Sequence, residues 1–190
     1  MDRMIHVAMT GAREAMRAQS LVAHNIANAS TTGFREVRRA VDSAPVGGPG
    51  LPTRVNPVSL PDAWNPNAGT MLHTGRDLDI AVQGQGWIAV QDAAGNEAYT
   101  RAGNLRVNAS GLLETASGEL VKGSGGPISI PPFQQLYIGN DGQISIVPQG
   151  QSPNALAIVD RIRLVNPPAQ EMVRVDNGLF RMADGSEAPA

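Results

Sequence analysis

Apolar residues recur at helical spacing over residues 4 to 27 and at strand spacing over most of the chain beyond residue 70. In the first stretch Ile5, Ala8, Ala12, Ala15, Gln19, Val22 and Ile26 fall on one line at 3,4 spacing. Met9, Met16 and Ala23 form a second line beside it. Together they make an a/d-like seam over about three heptads, interrupted at Gln19. Arg3, Arg13, Glu14 and Arg17 lie off both lines. Alanine at so many seam positions lets another helix approach closely, but it buries little area per residue. At roughly 25 cal/mol per Å² of apolar surface, such a helix is not expected to hold itself onto a domain and requires partner helices. A helix that only covered its own domain would carry Leu and Phe at these positions. Ile5, Ala8, Ala12, Ala15, Val22 and Ile26 are therefore the candidate assembly interface.

The helix is expected to end near Asn28. Asn25 and Asn28 are one turn apart, and Asn competes with helical hydrogen bonding by bonding local backbone groups. Ala29 to Thr32 carries no helical stripe, and Gly33 offers the positive φ of a sharp exit. Phe34 is then placed to anchor the turn. Residues 36 to 68 follow with Pro45, Gly47, Gly48, Pro49, Pro52, Pro57, Pro61 and Pro66 and little periodicity. That content predicts an extended connector with short edge strands at most, lying along neighbouring molecules.

The remainder reads as β. Residues 78–83 alternate, and 87–90, 97–101, 104–107, 112–115, 119–122, 127–130, 134–138 and 143–147 are further candidate strands. Turn chemistry separates many of them: Ala93 to Asn96, Asn108 to Gly111, Ser117-Gly118, Gly123 to Gly126, and Asn140-Asp141-Gly142. Strands at this spacing predict a small antiparallel sandwich or barrel-like domain. Two later runs, 157–165 and 172–182, read as strands leading away from it. The expected fold is mainly β with one long N-terminal α-helix, an extended connector and a small antiparallel β domain.

Composition narrows the chemistry. The 190 residues carry a net charge of −2, so no basic face argues for nucleic acid. Arginine outnumbers the single lysine, Lys122, fourteen to one. Arginine suits planar, bidentate interface contacts, although high-GC codon usage is the blander and preferred explanation of the bias. The absence of cysteine excludes disulfides, thiolate metal sites and a cysteine nucleophile. Aromatics are sparse at 4%, while Gly (21) and Pro (14) favour turns over a helical bundle. His6, His24 and His73 are scattered without metal-ligand spacing, so neither a metal nor a cofactor is expected. Gly84-Gln85-Gly86 lacks the third glycine and the following helix of a dinucleotide loop. Asp77 and Asp79 alternate beside Arg76, which favours a structural ion pair over acid–base work. Asn28-Ala29-Ser30 and Asn108-Ala109-Ser110 match a glycosylation sequon, a pattern with a high false-positive rate. Trp87 is expected in the core. No catalytic constellation emerges and no small-molecule substrate is implied. Arg13, Glu14 and Arg17 interrupt what would be the apolar region of a cleavable leader. No run approaches the roughly eighteen apolar residues of a membrane span.

Several stretches share a specific pattern. Ala27-Asn28-Ala29-Ser30-Thr31-Thr32-Gly33-Phe34-Arg35 resembles the N-terminal motif of bacterial flagellar rod and hook proteins, approximately A-N-N-L-A-N-x-N-T-x-G-[YF]-[KR]. It departs at His24, Ile26 and Ser30. Residues 74–87, 99–105 and 111–113 are similar to the T-G-R-x-L-D-x-A-I-x-G-x-G-[FW] and Y-T-R-x-G-x-F runs of the same family, with Leu105 in place of Phe. Residues 164–168 and 176–180 look like its returning segment. The opening residues and Gly123 to Ile128 most resemble the proximal-rod member, with the distal-rod member close behind. This resemblance implies a structural subunit of the flagellar basal-body rod, assembling helically through its N-terminal helix. Its partners would be other flagellar rod proteins, copies of itself and the flagellar export apparatus. It would be exported uncleaved and would sit in the basal body, spanning the periplasm. The implied organisation is an axial helix and motif turn (1–33; Asn25, Asn28, Thr31, Gly33 and Phe34), a connector (34–70), a β domain (71–156), and returning strands with a tail (157–190). Family members close with a second helix, and no helical stripe follows Phe180 here. A hook-type protein or a β-rich adhesive module is the alternative, the latter leaving the helix without a task.

Overall fold

The computed structural model describes residues 2–47, 54–152 and 154–189. Met1, Ala190 and the connector positions Gly48, Pro49 and Pro52 lie outside them. The chain divides into two compact units between Pro66 and Asn67.

In the first unit α1 spans Asp2–Ala27, ending where the two asparagines predict. Four short strands follow: β1 (Val37–Arg38), β2 (Val41–Pro45), β3 (Val55–Ser59) and β4 (Ala63–Trp64). The connector is extended, as its prolines require, but it also folds back on itself. Strand β2 pairs antiparallel with β3, from Val41 opposite Ser59 to Pro45 opposite Val55. Strand β1 pairs with β4, Val37 opposite Trp64. The amide of Leu60 donates to Ala40 O at 2.9 Å and that of Val46 to Arg54 O at 2.9 Å, joining the pieces into one long ribbon. Both strands of a two-stranded ribbon are edges, the place where a strand tolerates Pro45 and Pro57.

The second unit carries β5 (Trp87–Gln91), β6 (Glu97–Thr100), β7 (Leu105–Val107), β8 (Leu113–Thr115), β9 (Leu120–Val121), β10 (Phe133–Ile138), β11 (Gln143–Pro148), β12 (Ala157–Arg161), β13 (Leu164–Val165), β14 (Met172–Arg174) and β15 (Phe180–Met182). An eight-stranded sheet runs β14-β15-β6-β5-β9-β8-β7, with β13 also pairing with β5. A second sheet has the order β10-β11-β12. Ile88, Val90, Leu113 and Val121 of the first sheet and Leu136, Ile144 and Ile146 of the second close one shared core.

Three expectations change in detail. Residues 78–83 do alternate, and Leu78, Ile80 and Val82 pack on the core, but the ladder is a single bridge between Asp79 and Asn104. At Gly103 a Cβ would lie 1.7 Å from Ile80 O, so the two backbones meet where only glycine fits. Residues 127–130 are not a strand either. Ile128 donates to Val121 O and Ile130 to Gly111 O, so the segment bonds β9 and then the turn before β8 in succession. The runs at 157–182 do not lead away from the domain. Strands β12, β13 and β15 pair with β11, β5 and β6.

The motif residues of this unit hold its fold. Trp87 is buried, with its ring 4.6 Å from Phe180, and the Arg101 guanidinium lies 5.6 Å over it while donating to Gly84 O. Arg76 approaches Asp79 at 3.7 Å, the structural ion pair expected there. The segment after β15 is tied down by charge. Lys122 and Arg163 bridge the buried Glu97 to Glu187, and the Ala188 amide donates to the Tyr99 hydroxyl at 2.6 Å. Burial pushes the Tyr99 phenol up to about 12.

Candidate assembly interface

The motif turn is built from side chains that add to the last helical hydrogen bonds. The Asn28 amide and side-chain Nδ2 both donate to His24 O, at 3.2 and 2.9 Å. The Thr31 amide donates to Asn28 O at 3.0 Å and its hydroxyl to Asn28 Oδ1 at 3.3 Å. Asn28 thus terminates α1 and shapes the next turn at once, meeting the carbonyls a helix end leaves open. Gly33 has φ +73, a left-handed conformation that L side chains adopt at a cost of about 1–2 kcal/mol. Phe34 leaves the turn half-buried, its ring edge-on to His24 at 5.7 Å.

Asn25 does the joining. Its Nδ2 donates to Val37 O at 2.8 Å, and its Oδ1 accepts from the Val37 amide at 3.2 Å. A single side chain therefore pairs with β1 as a neighbouring strand would. Arg35 is buried beside it and donates to Pro66 O at 3.2 Å, with desolvation lowering its pKa. Of the five residues read as the motif turn, Asn25 lies in the last turn of α1, while Asn28, Thr31, Gly33 and Phe34 follow the helix.

Two faces of α1 differ in what they touch. Val7, Thr10, Gly11, Glu14, Leu21, Asn25 and Asn28 are half-buried. Glu14 accepts from the Ser59 hydroxyl of β3 and from Arg17 at 2.7 Å. The Ser59 hydrogen bond, followed by Arg17, holds its carboxyl below the usual glutamate range. Roughly a third of a turn around the helix, Ile5, Ala8, Ala12, Ala15, Val22 and Ile26 are all exposed. Ile5 is 63% exposed and Ile26 70%, with Met4, Met9 and Met16 flanking them. This line is the seam read from the spacing. The helix therefore turns its polar-flecked face to its own ribbon, and among the described residues of the first unit its apolar seam is exposed. The inward contacts through Glu14 and Asn25 escaped the sequence reading, because their partners are long-range and carry no local pattern.

Among the described residues, no group of three His, Asp or Glu is arranged to hold a metal ion, and no helix is long and apolar enough to cross a membrane.

Comparison with known proteins bears on both units. A family model for the flagella basal body rod protein matches residues 5–35, the helix and its turn. A model for the flagellar hook protein FlgE/F/G D1 domain matches residues 81–146. The flagellar basal-body rod protein FlgF of Salmonella typhimurium LT2 is 40% identical over 188 residues, covering 99% of this chain and 74% of the relative. FlgF of Escherichia coli K12 shows the same identity and coverage. The rod protein FlgG of Bacillus subtilis 168 is 31% identical over 163 residues, covering 77% of this chain and 61% of the relative.

Proposed function

The chain belongs to the FlgF family of flagellar basal-body rod proteins and is a structural subunit of the flagellar rod, and we propose that it joins the rod through the outward face of α1. One observation carries this reading: Ile5, Val22 and Ile26, with the alanines between them, form an apolar line that the subunit leaves in water. Fully burying one such large side chain is worth about 1.5–3 kcal/mol, so several neighbours closing over this face would supply most of the association energy. Ala8, Ala12 and Ala15 let a partner helix approach closely, and the flanking methionines fit surfaces of differing shape. A helix with that combination suits contact with copies of itself and with other rod proteins.

In this reading α1 lines the rod axis, the ribbon β1–β4 lies between neighbours, and the second unit forms the outer wall. The subunit works in the proximal rod and reaches it through the flagellar export apparatus. The 40% identity to FlgF of Salmonella typhimurium and Escherichia coli, against 31% to FlgG of Bacillus subtilis, supports the proximal position. No catalysis is involved; the chemistry is helix packing.

Substituting Ala12 or Ala15 by Glu tests the reading. A buried, unpaired carboxylate in a tight helix contact is expected to abolish incorporation into basal bodies and motility. The thermal unfolding of the second unit is expected to stay at the wild-type value. Normal rods containing Ala12→Glu would reject the outward face as the interface.

A further inference from the structure

Three of the side chains on or beside the outward face of α1 are methionines. Met4 and Met16 are each 70% exposed and Met9 is 44% exposed. With no cysteine in the chain, thioethers are its most easily oxidised side chains. The structure sorts the remaining described methionines into controls. Met71 is exposed in the second unit, whereas Met172 and Met182 are buried in its sheet. We infer that Met4, Met9 and Met16 form an oxidation-sensitive site that decides whether a free subunit can enter the rod, an inference that rests on the outward face being the interface.

The chemistry needs only a two-electron oxidant such as hypochlorous acid. The thioether sulfur gives a lone pair to chlorine and hydroxide leaves. Water then attacks the sulfur, chloride departs and two protons are lost, one of them neutralising the hydroxide. Sulfur is oxidised by two electrons to the sulfoxide, and chlorine is reduced to chloride. Each sulfoxide places a strong dipole where a partner helix must pack against apolar surface, and seam neighbours such as Ala8 and Ala12 offer no side-chain donor. Association is expected to weaken about tenfold per sulfoxide buried in the contact. Before assembly the three sulfurs face solvent. Once neighbours close over α1, the same sulfurs are shielded, so the sensitivity belongs to the unassembled pool.

The test is a pulse of hypochlorous acid on cells holding unassembled full-length subunit, followed by quenching and a chase that allows rods to form. Mass spectrometry then compares basal bodies with the unassembled fraction. Sulfoxide at Met4, Met9 and Met16 is expected in the unassembled fraction and depleted at least tenfold in basal bodies, with sulfoxide at Met71 equal in both and Met172 and Met182 unmodified. A Met4→Leu, Met9→Leu, Met16→Leu variant, compared with its own unpulsed level, is expected to incorporate to the same extent with or without the pulse. Equal sulfoxide at the three positions in both fractions would overturn the inference, as would a triple variant that the pulse still blocks. Ala12→Glu run in parallel separates the two claims. If it is excluded while oxidised wild type enters, only the oxidation inference fails; if it enters, the interface reading fails beneath it.

Discussion

The two units of this chain spend their apolar residues in opposite ways. Among the described residues, every buried apolar side chain except Val37 belongs to the second unit. There Ile88, Leu105, Leu113 and Ile144 are wholly inaccessible to solvent. The first unit instead exposes Ile5, Val22, Ile26, Val41, Val55 and Val58. Its internal bonds are polar: Asn25 to Val37, Glu14 to Ser59, and Arg39 to Asp62 at 2.6 and 2.9 Å. The second unit folds around its own core. The first is held in shape by hydrogen bonds and leaves hydrophobic surface exposed, the surface that the proposed assembly would cover.

Truncating one large side chain in each unit tests that contrast most severely. Leu113→Ala is expected to cost the second unit about 2–5 kcal/mol through cavity formation. Ile26→Ala is expected to change the free subunit's stability by less than about 0.5 kcal/mol, because an exposed side chain contributes little. Urea unfolding of the two variants checks both numbers. A large loss from Ile26→Ala in the free subunit would break the comparison, since the helix would then already be packed within its own chain.

A smaller effect is expected at Gly33. Its φ of +73 forces a substituted valine into the left-handed region, costing about 1–2 kcal/mol. Gly33→Val should therefore speed amide exchange at Thr31 and Phe34 and misdirect the ribbon, so that rods fail to form. Exchange in β5 should not change. Intact rods from this variant would reduce Gly33 to a spacer.

The smallest expected effect is local and pH-dependent. Hydrogen bonds from Lys122 and Arg163 hold the Glu187 carboxyl below the ordinary glutamate value of 4.5. A lowered carboxylate pKa means its contribution is complete above that value and is lost as pH falls through the lowered one. Acidification should release the segment from Asp184 to Ala188 while the core persists. The protection factor of the Ala188 amide is the readout, expected to collapse in acid before those of β5. Joint loss would show that this segment is part of the cooperative core.

Much of this was legible in the sequence where the signals are local. Asn25 and Asn28 announce the helix end, Gly33 the reversal, and Asn108 the turn in which its Oδ1 accepts the Ser110 and Leu112 amides. The seam too is a matter of spacing along one helix. Long-range pairings were not legible. Nothing near Val41 or Val55 says that they lie on opposite strands of one ribbon, and the prolines between them point only to extended chain. The same holds for the bonds joining Glu97, Lys122, Arg163 and Glu187, which are brought together from four separate places in the chain. Residues 78–83 show the opposite failure: the alternation is real, yet its pairing is the single bridge between Asp79 and Asn104.

The central claim is that the outward face of α1 is open in the subunit and closed in the rod. Because the chain has no cysteine, Ala12→Cys, Ala15→Cys and Val22→Cys each introduce a single thiol on that face. Reaction with a small maleimide measures its exposure in both states. The account predicts rapid labelling of all three in the free subunit and strong protection in isolated basal bodies that contain them. Equal labelling at all three positions in the free subunit and in assembled rods would contradict it.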